Sequence, residues 1–268
     1  MRLFRERMRR RELVSGPFVS LSDPYATEAL VGSVDFLWYD QEHAPMSHEA
    51  LGAHLIACRV KRVPAFVRVT GANGGEHLNW GADIKPLLDM GADGIIVPQV
   101  KTVEQVQDIV ADCRFPPAGR RGRGFLGGHF DYGRADADQY MAEADAQIFV
   151  CIMLETKESL EQIEKIFCVP GLDSVCVGAN DIMSSLGLPY PGTKLYGEKE
   201  HAVLMGAVER AVAAAEAATA AGLGDKFVGF ASGNVGYCAE VRYTHQLVVL
   251  RGLLLVCVKS VLVLRPRC

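Results

Sequence analysis

Five residues with chemistry to offer stand at, or just after, the ends of short apolar runs: Asp40, His43, Arg68, Glu155 and Asp181. Glu155 and Asp181 form a candidate metal pair. Two carboxylates without a His or Cys partner suit a hard divalent ion that keeps water or substrate oxygens in its other positions. The competing reading makes each a helix-start residue, Glu155 favoured by the helix dipole and Asp181 an N-cap for 182–186. His43 is a candidate general base, because imidazole titrates near neutrality. Asp40, three residues before it, can orient it or raise its basicity. Arg68 can hold a carboxylate or stabilise an oxyanion by charge-assisted hydrogen bonds, or simply form an ion pair.

For these groups to meet, the runs that carry them must be neighbouring strands. Seven runs read as strands: Pro17–Leu21, Asp35–Tyr39, Ala65–Val69, Gly94–Val97, Ile148–Met153, Ser174–Val177 and Phe227–Phe230, with Gln246–Leu250 as a candidate eighth. They do not alternate polar with apolar, which is the mark of parallel strands covered on both faces. Helical patterns separate them. Ser47 caps one carrying Leu51, Leu55 and Ile56. Thr156 caps another carrying Leu160, Ile163 and Ile166, stopped by Pro170-Gly171. His201–Ala221 is Ala-rich and ends at Gly222. Strand–helix alternation over 268 residues predicts one domain, 1–268, an α/β fold of the (β/α)₈ TIM-barrel type. In such a barrel the strand ends carry the chemistry. A doubly wound open sheet is the alternative.

The chain holds 28 Lys plus Arg against 32 Asp plus Glu, a net charge of −4, which argues against a general nucleic-acid partner. Its eight cysteines form no C-x-x-C pair, so neither a zinc ribbon nor a disulfide framework is expected; reduced thiols and a cytoplasmic location are. The Arg-rich start, MRLFRERMRRRELVSG, is read as a short cationic helix with Leu3, Phe4 and Met8 on its apolar side rather than as a transit peptide, since Glu6 and Glu12 interrupt it. Leu247–Leu264 is apolar enough to suggest a membrane span, but Arg251, Lys259 and Gly252 interrupt it, and buried secondary structure with no membrane partner is the reading adopted.

Other motifs carry less. Gly122–Gly127 fits G-x-G-x-x-G but follows a Pro-Pro pair and a basic loop, not a strand, so it reads as a mobile basic lid. Gly71–Gly75 lacks the Lys-Ser/Thr of a phosphate loop. Lys226 precedes its strand, at the wrong end for Schiff-base chemistry.

Several stretches in order, DFLWYDQEHAPMS (35–47), VPAFVRV (63–69), MGADGIIVPQVKTVEQ (90–105), CRFPPAGRRGRG (113–124), LETKESLEQIEKI (154–166) and PGLDSVCVGANDIMSSLG (170–187), resemble the HpcH/HpaI aldolase family, the metal-dependent class II pyruvate aldolases. The resemblance runs from about Phe4 to Ser232. It implies a TIM barrel and a reversible cleavage of a 4-hydroxy-2-oxo acid to pyruvate and an aldehyde through a pyruvate enolate. It implies Mg²⁺ or Mn²⁺ as cofactor, with Co²⁺ a further option, and a homo-oligomer, hexameric in the family. Asp40 and His43 fall on the family's acid/base dyad, Arg68 on its enolate-stabilising Arg, and Glu155 and Asp181 on its metal ligands. Gly178, Asn180 and Asp181 fall where the pyruvate carboxylate binds. Glu42 falls on a family acid with no clear role.

Three departures stand out. Met153 replaces a Gln common two positions before the metal Glu, and Met cannot donate a hydrogen bond. Ala179-Asn180 stands where the family has Pro before the metal Asp. Residues 233–268 diverge, so the last βα unit is expected to be irregular. Alternatives are a related acyl-CoA lyase or 2-oxo-diacid decarboxylase, or a non-catalytic pseudoenzyme barrel.

Overall fold

The computed structural model describes residues 1–12, 14–70, 80–124, 127–189, 197–232 and 253–257. Helix α1 (Arg2–Arg9) precedes β1 (Val14–Val19). Then come α2 (Tyr25–Leu30), β2 (Leu37–Asp40), α3 (His48–Lys61), β3 (Ala65–Arg68), α4 (Gly81–Met90), β4 (Gly94–Val97) and α5 (Val103–Cys113). A 3₁₀ turn at Gly128–Gly133 leads to α6 (Ala137–Gln147), β5 (Phe149–Leu154), α7 (Lys157–Glu161), α8 (Ile163–Phe167) and β6 (Ser174–Gly178). The chain continues through α9 (Ala179–Ser185), α10 (Glu198–Ala220), β7 (Phe227–Ser232) and β8 (Leu253–Cys257). Every strand pairs parallel with its sequence neighbour, and β8 pairs with both β7 and β1, so the strand order returns on itself. No helix follows β8 among the described residues, and Gln246–Leu250 lies outside them.

Strands β2 to β6 are buried at every position because both faces are covered. Alternation along each strand sorts the side chains into two clusters. Leu37, Tyr39, Val67, Ile95, Val150, Ile152, Val175 and Val228 pack outward beneath the helices. Phe36, Trp38, Phe66, Ile96, Phe149, Cys151, Met153, Cys176 and Phe227 fill the interior together with Phe4 and Met8 of α1. The same parity decides which strand-end residues face inward: Asp40 continues Phe36 and Trp38, Arg68 continues Phe66, Glu155 continues Cys151 and Met153, and Gly178 continues Cys176.

The N-terminal segment is a helix, as expected, but Leu3 is 68% exposed and only Phe4 and Met8 are buried. The Phe4 ring sits 5.3 Å from Phe66, 5.9 Å from Phe36 and 6.0 Å from Phe149, so α1 plugs the end of the barrel where the strands begin. Its arginines fasten it there: Arg5 to Asp173, Arg7 to Asp35 at 2.7 Å and Arg9 to Asp225 at 2.6 Å. Phe4→Ala is expected to cost about 3 kcal/mol, a buried aromatic removed from a packed cluster, read as a lower urea midpoint with unchanged m.

Helix starts follow the sequence closely. Ser47 accepts from the Ala50 N–H, and Thr156 from the Ser159 N–H. Two details differ. Ile56 points outward at 51% exposure, the buried face of α3 being Leu51, His54, Leu55 and Cys58. The helix begun at Thr156 is broken at Gln162 into α7 and α8. Lys226 lies at the strand-start end, buried, its ammonium donating to the carbonyls of Val169 and Leu172 at 2.8 and 2.7 Å. No described helix is long and apolar enough to cross a membrane.

Candidate active site

Asp40 and Arg68 are register partners at the ends of β2 and β3, both on the inward parity. The guanidinium meets the carboxylate side-on, Nε to Oδ1 and Nη2 to Oδ2, each at 2.8 Å. Asp40 Oδ1 also accepts the N–H of Glu42 at 3.0 Å, a tight turn that folds Glu42 back over the barrel mouth. Glu42 Oε2 consequently lies 2.9 Å from Arg68 Nη1. Beneath, the guanidinium carbon lies 4.8 Å from the Phe18 ring and 5.9 Å from Trp38, a cation–π bed that is itself stacked. Arg68 is thus held by two carboxylates in its plane and two aromatic rings from below, a rigid positive charge in a dry place.

The expected Asp40–His43 pairing is not the one observed: Asp40 binds the Arg68 guanidinium and the Glu42 N–H. His43 Nε2 instead lies 3.7 Å from Glu42 Oε2, and its side chain is 69% exposed at the rim. The acid whose role the sequence left open is the one beside the imidazole.

Glu155 is buried at the end of β5 and accepts the backbone N–H of Gln99 at 2.6 Å. Gln99 donates it from a left-handed backbone, φ 57°, uncommon for a residue with a side chain. Burial first, then the like charges of Asp181 and Glu42, push the Glu155 carboxyl up to about 8, while the Gln99 N–H and Arg68 pull the other way. Burial likewise raises Glu42, against the attraction of Arg68 and His43. Gly178 ends β6 against this carboxylate: a Cβ there would lie 2.7 Å from Glu155 Oε2 and 3.1 Å from the Met153 methyl, so a larger residue would push the carboxylate from its place. Asn180, exposed, and Asp181, half-buried, stand in the first turn of α9. The structure therefore brings Asp40, Glu42, Arg68, Glu155, Gly178 and Asp181 to one end of the barrel, with buried Met153 as part of the floor.

Among the described residues no three His, Cys, Asp or Glu side chains form a metal-holding group. The two-carboxylate set fits a hard divalent ion that completes its shell with water and substrate oxygens. A buried carboxyl crowded by two other acids, with one Arg as counter-charge, is the electrostatic setting that such an ion relieves.

Of the expected lid at 122–127, Gly122 lies beside Lys85 and Gly124 beside Asp89, both on α4, and the two arginines just before it are anchored on helices. Arg121 is 1% exposed at its side chain, 2.7 Å from Asp89 and over the Phe115 ring, and Arg120 binds Asp108 and Asp112. Asp89 and Asp112 lie one residue from the ends of α4 and α5 and Asp108 at the middle of α5, and each helix runs back toward the start of the next strand, away from the site. Phe125 and Leu126 lie outside the described residues. Reading the sequence overlooked the Gln99 N–H and the Phe18–Trp38 bed. A backbone donor has no side-chain signature, and the aromatics look like ordinary core.

Acids and one buried arginine gathered at the C-terminal ends of parallel strands place the polar groups of this α/β fold where an enzyme of its class carries its chemistry. The chain belongs to the HpcH/HpaI aldolase/citrate lyase family, whose model matches residues 15–249, and it is accordingly a carbon–carbon lyase. It is 34% identical over 203 residues to a hydroxypyruvate/pyruvate aldolase of Roseobacter denitrificans, covering 75% of each chain. It is 35% identical over 204 residues to a 4-hydroxy-2-oxovalerate aldolase of Rhodococcus jostii, covering 75% of this chain and 74% of that one. An HpcH/HpaI family structure from Burkholderia cenocepacia superposes with a TM-score of 0.77 at 26% identity, over 96% of this chain and 93% of the other.

Proposed function

We propose that the chain is a metal-dependent aldolase that reversibly cleaves a 4-hydroxy-2-oxo acid to pyruvate and an aldehyde, on a complete (β/α)₈ barrel. The observation that carries the reading is the juxtaposition of Glu155 and Asp181 with Arg68 at one barrel mouth. Relatives named as aldolases of pyruvate and of a 4-hydroxy-2-oxo acid support it. Glu155 and Asp181 would hold Mg²⁺ or Mn²⁺, with Co²⁺ a further option; a bound ion would supply Lewis-acid polarisation of the 2-oxo group.

The chain's own residues do the rest. The N–H groups of the first turn of α9, at Asn180 and Asp181, with Gly178 leaving room beside them, receive the substrate carboxylate. Arg68, unable to rotate out of its carboxylate clamp, faces the oxygen that gains charge as the enolate forms, and its preorganisation is what lowers the barrier. In the synthetic direction His43 removes a proton from the pyruvate methyl, the enolate carbon adds to the aldehyde, and the proton returns from the imidazole to the aldehyde oxygen, which becomes the 4-hydroxyl. In cleavage the base takes the 4-hydroxyl proton, the C3–C4 bond breaks and the enolate regains a proton at C3. The rim position of His43 suits a group that exchanges its proton with water between turnovers. Asp40 acts on His43 only through Arg68 and Glu42.

The substrates are small molecules, with no nucleic-acid or membrane partner. A cytoplasmic homo-oligomer is the setting proposed.

Deuterium uptake into the pyruvate methyl, followed by NMR with Mn²⁺ and then with excess EDTA, tests the reading without a guess at the aldehyde. Metal-dependent exchange is expected, reduced about 10²-fold or more in His43→Ala, the usual worth of a positioned base. Exchange that survives EDTA, or that His43→Ala leaves intact, overturns the assignment.

A further inference from the structure

Glu42 sits where the two working groups of the site meet. Its Oε2 lies 2.9 Å from Nη1 of Arg68 and 3.7 Å from Nε2 of His43, with the Glu42 side chain only 9% exposed. The backbone fixes it there through the N–H bond to Asp40 Oδ1. Arg68 does not need it for anchorage, since Asp40 already binds the guanidinium side-on through Nε and Nη2. His43 does need it: the imidazole stands at the rim, and the Glu42 carboxylate is the one charged group in ion-pair range of it among the described residues.

We propose that Glu42 is a positioning residue for His43, bridging the imidazole to the immobile Arg68 and thereby orienting a rim-exposed base toward the substrate methyl. The inference deepens the aldolase reading and rests on it. The chemistry favours a carboxylate at this point. When the imidazole accepts a proton from the substrate it becomes a cation, and an adjacent carboxylate pairs with that cation at the moment it forms. Tying the same oxygen to Arg68 keeps the carboxylate from turning away into solvent. Glu42 is faced by Arg68 from β3, by Asp181 from α9, and by Asp40 and His43 on its own turn. One Glu42 oxygen therefore lies between the Arg68 guanidinium and the His43 imidazole.

The test is a split between binding and turnover. In Glu42→Gln, Arg68 keeps both bonds to Asp40, so the KM for pyruvate in metal-dependent methyl exchange is expected to stay within about twofold. The kcat is expected to fall about tenfold or more, a fraction of the usual worth of a positioned base. Glu42→Asp, which keeps the charge one methylene shorter, is expected to restore part of the rate and covers the case in which Gln disturbs folding. A wild-type kcat in Glu42→Gln, or a KM rise that accounts for the whole loss, overturns the proposal.

A second readout needs no activity. The ¹³C relaxation of the His43 ring, assigned by its disappearance in His43→Ala, is expected to show a more mobile imidazole in Glu42→Gln than in the parent. An equally ordered ring overturns the bridge. If the parent protein exchanges no pyruvate protons yet the ring loosens in Glu42→Gln, the aldolase reading fails while the bridge stands; exchange in the parent with no change in either readout leaves the aldolase reading and removes the bridge.

Discussion

Glu155→Gln is expected to eliminate metal-dependent pyruvate exchange, by about 10³-fold or more, and at the same time to make the metal-free protein more stable at alkaline pH. The two effects have one cause. Burial and the like charges of Asp181 and Glu42 hold the Glu155 carboxyl up to about 8, so folding favours its neutral form. A carboxyl whose pKa is raised on folding contributes stability that is fully present below its unfolded value and is lost as pH rises through the folded value. Without a divalent ion, the parent protein should lose stability between about pH 5 and pH 8, by on the order of a few kcal/mol. Glu155→Gln, which fits the same space and still accepts the Gln99 N–H, should lack that slope. Excess Mn²⁺ should stabilise the parent by about 2.7 kcal/mol at a hundred times Kd and leave Glu155→Gln unmoved. Thermal unfolding across pH, with and without Mn²⁺, checks both halves. Equal Mn²⁺ stabilisation of the two proteins would remove Glu155 from the ion's shell.

The contrast between what the sequence disclosed and what it withheld comes from the kind of interaction involved. Strands β2 to β6 were legible because a strand covered on both faces must be apolar throughout, and a run such as Phe149–Leu154 has no other use. Ser47 and Thr156 were legible as caps because their hydroxyls act within three residues of themselves. The residues that gather at the mouth were legible too, since parity along a strand carries Asp40, Arg68, Glu155 and Gly178 to the inward face once the strands are placed. Their partnerships were not. Asp40 lies three residues from His43 in the chain, yet strand register sets it beside Arg68, twenty-eight residues away. Register is a property of the ladder and of packing beneath it, and nothing local announces it. Leu3 and Ile56 were misjudged for a related reason: apolar type permits burial but does not compel it, and a protein surface carries many apolar atoms. The fate of the divergent tail beyond Ser232 rests on β8, which pairs with β7 and β1 where an eighth strand must.

Arg68 is expected to be the second residue whose loss stops the reaction, and the harder one to interpret, because its removal also strands a charge. Arg68→Ala leaves buried Asp40, and most of Glu42, without a counter-ion, which costs about 3–5 kcal/mol when one partner of a buried pair is deleted. A dead Arg68→Ala protein would therefore say little. Arg68→Lys keeps the charge but cannot reproduce the side-on pair or lie flat on Phe18. It is expected to fold, to raise the KM for pyruvate and to lower kcat about 10²-fold, in line with the loss of one preorganised oxyanion donor. The decisive comparison is a double replacement. Arg68→Met with Asp40→Asn removes the stranded carboxylate together with the guanidinium, so stability should recover much of what Arg68→Met alone loses. Exchange should not recover with it, since no guanidinium is left to face the enolate oxygen. If activity returned in step with stability, Arg68 would be a strut of the barrel mouth and the charge that stabilises the enolate would have to come from elsewhere in the site.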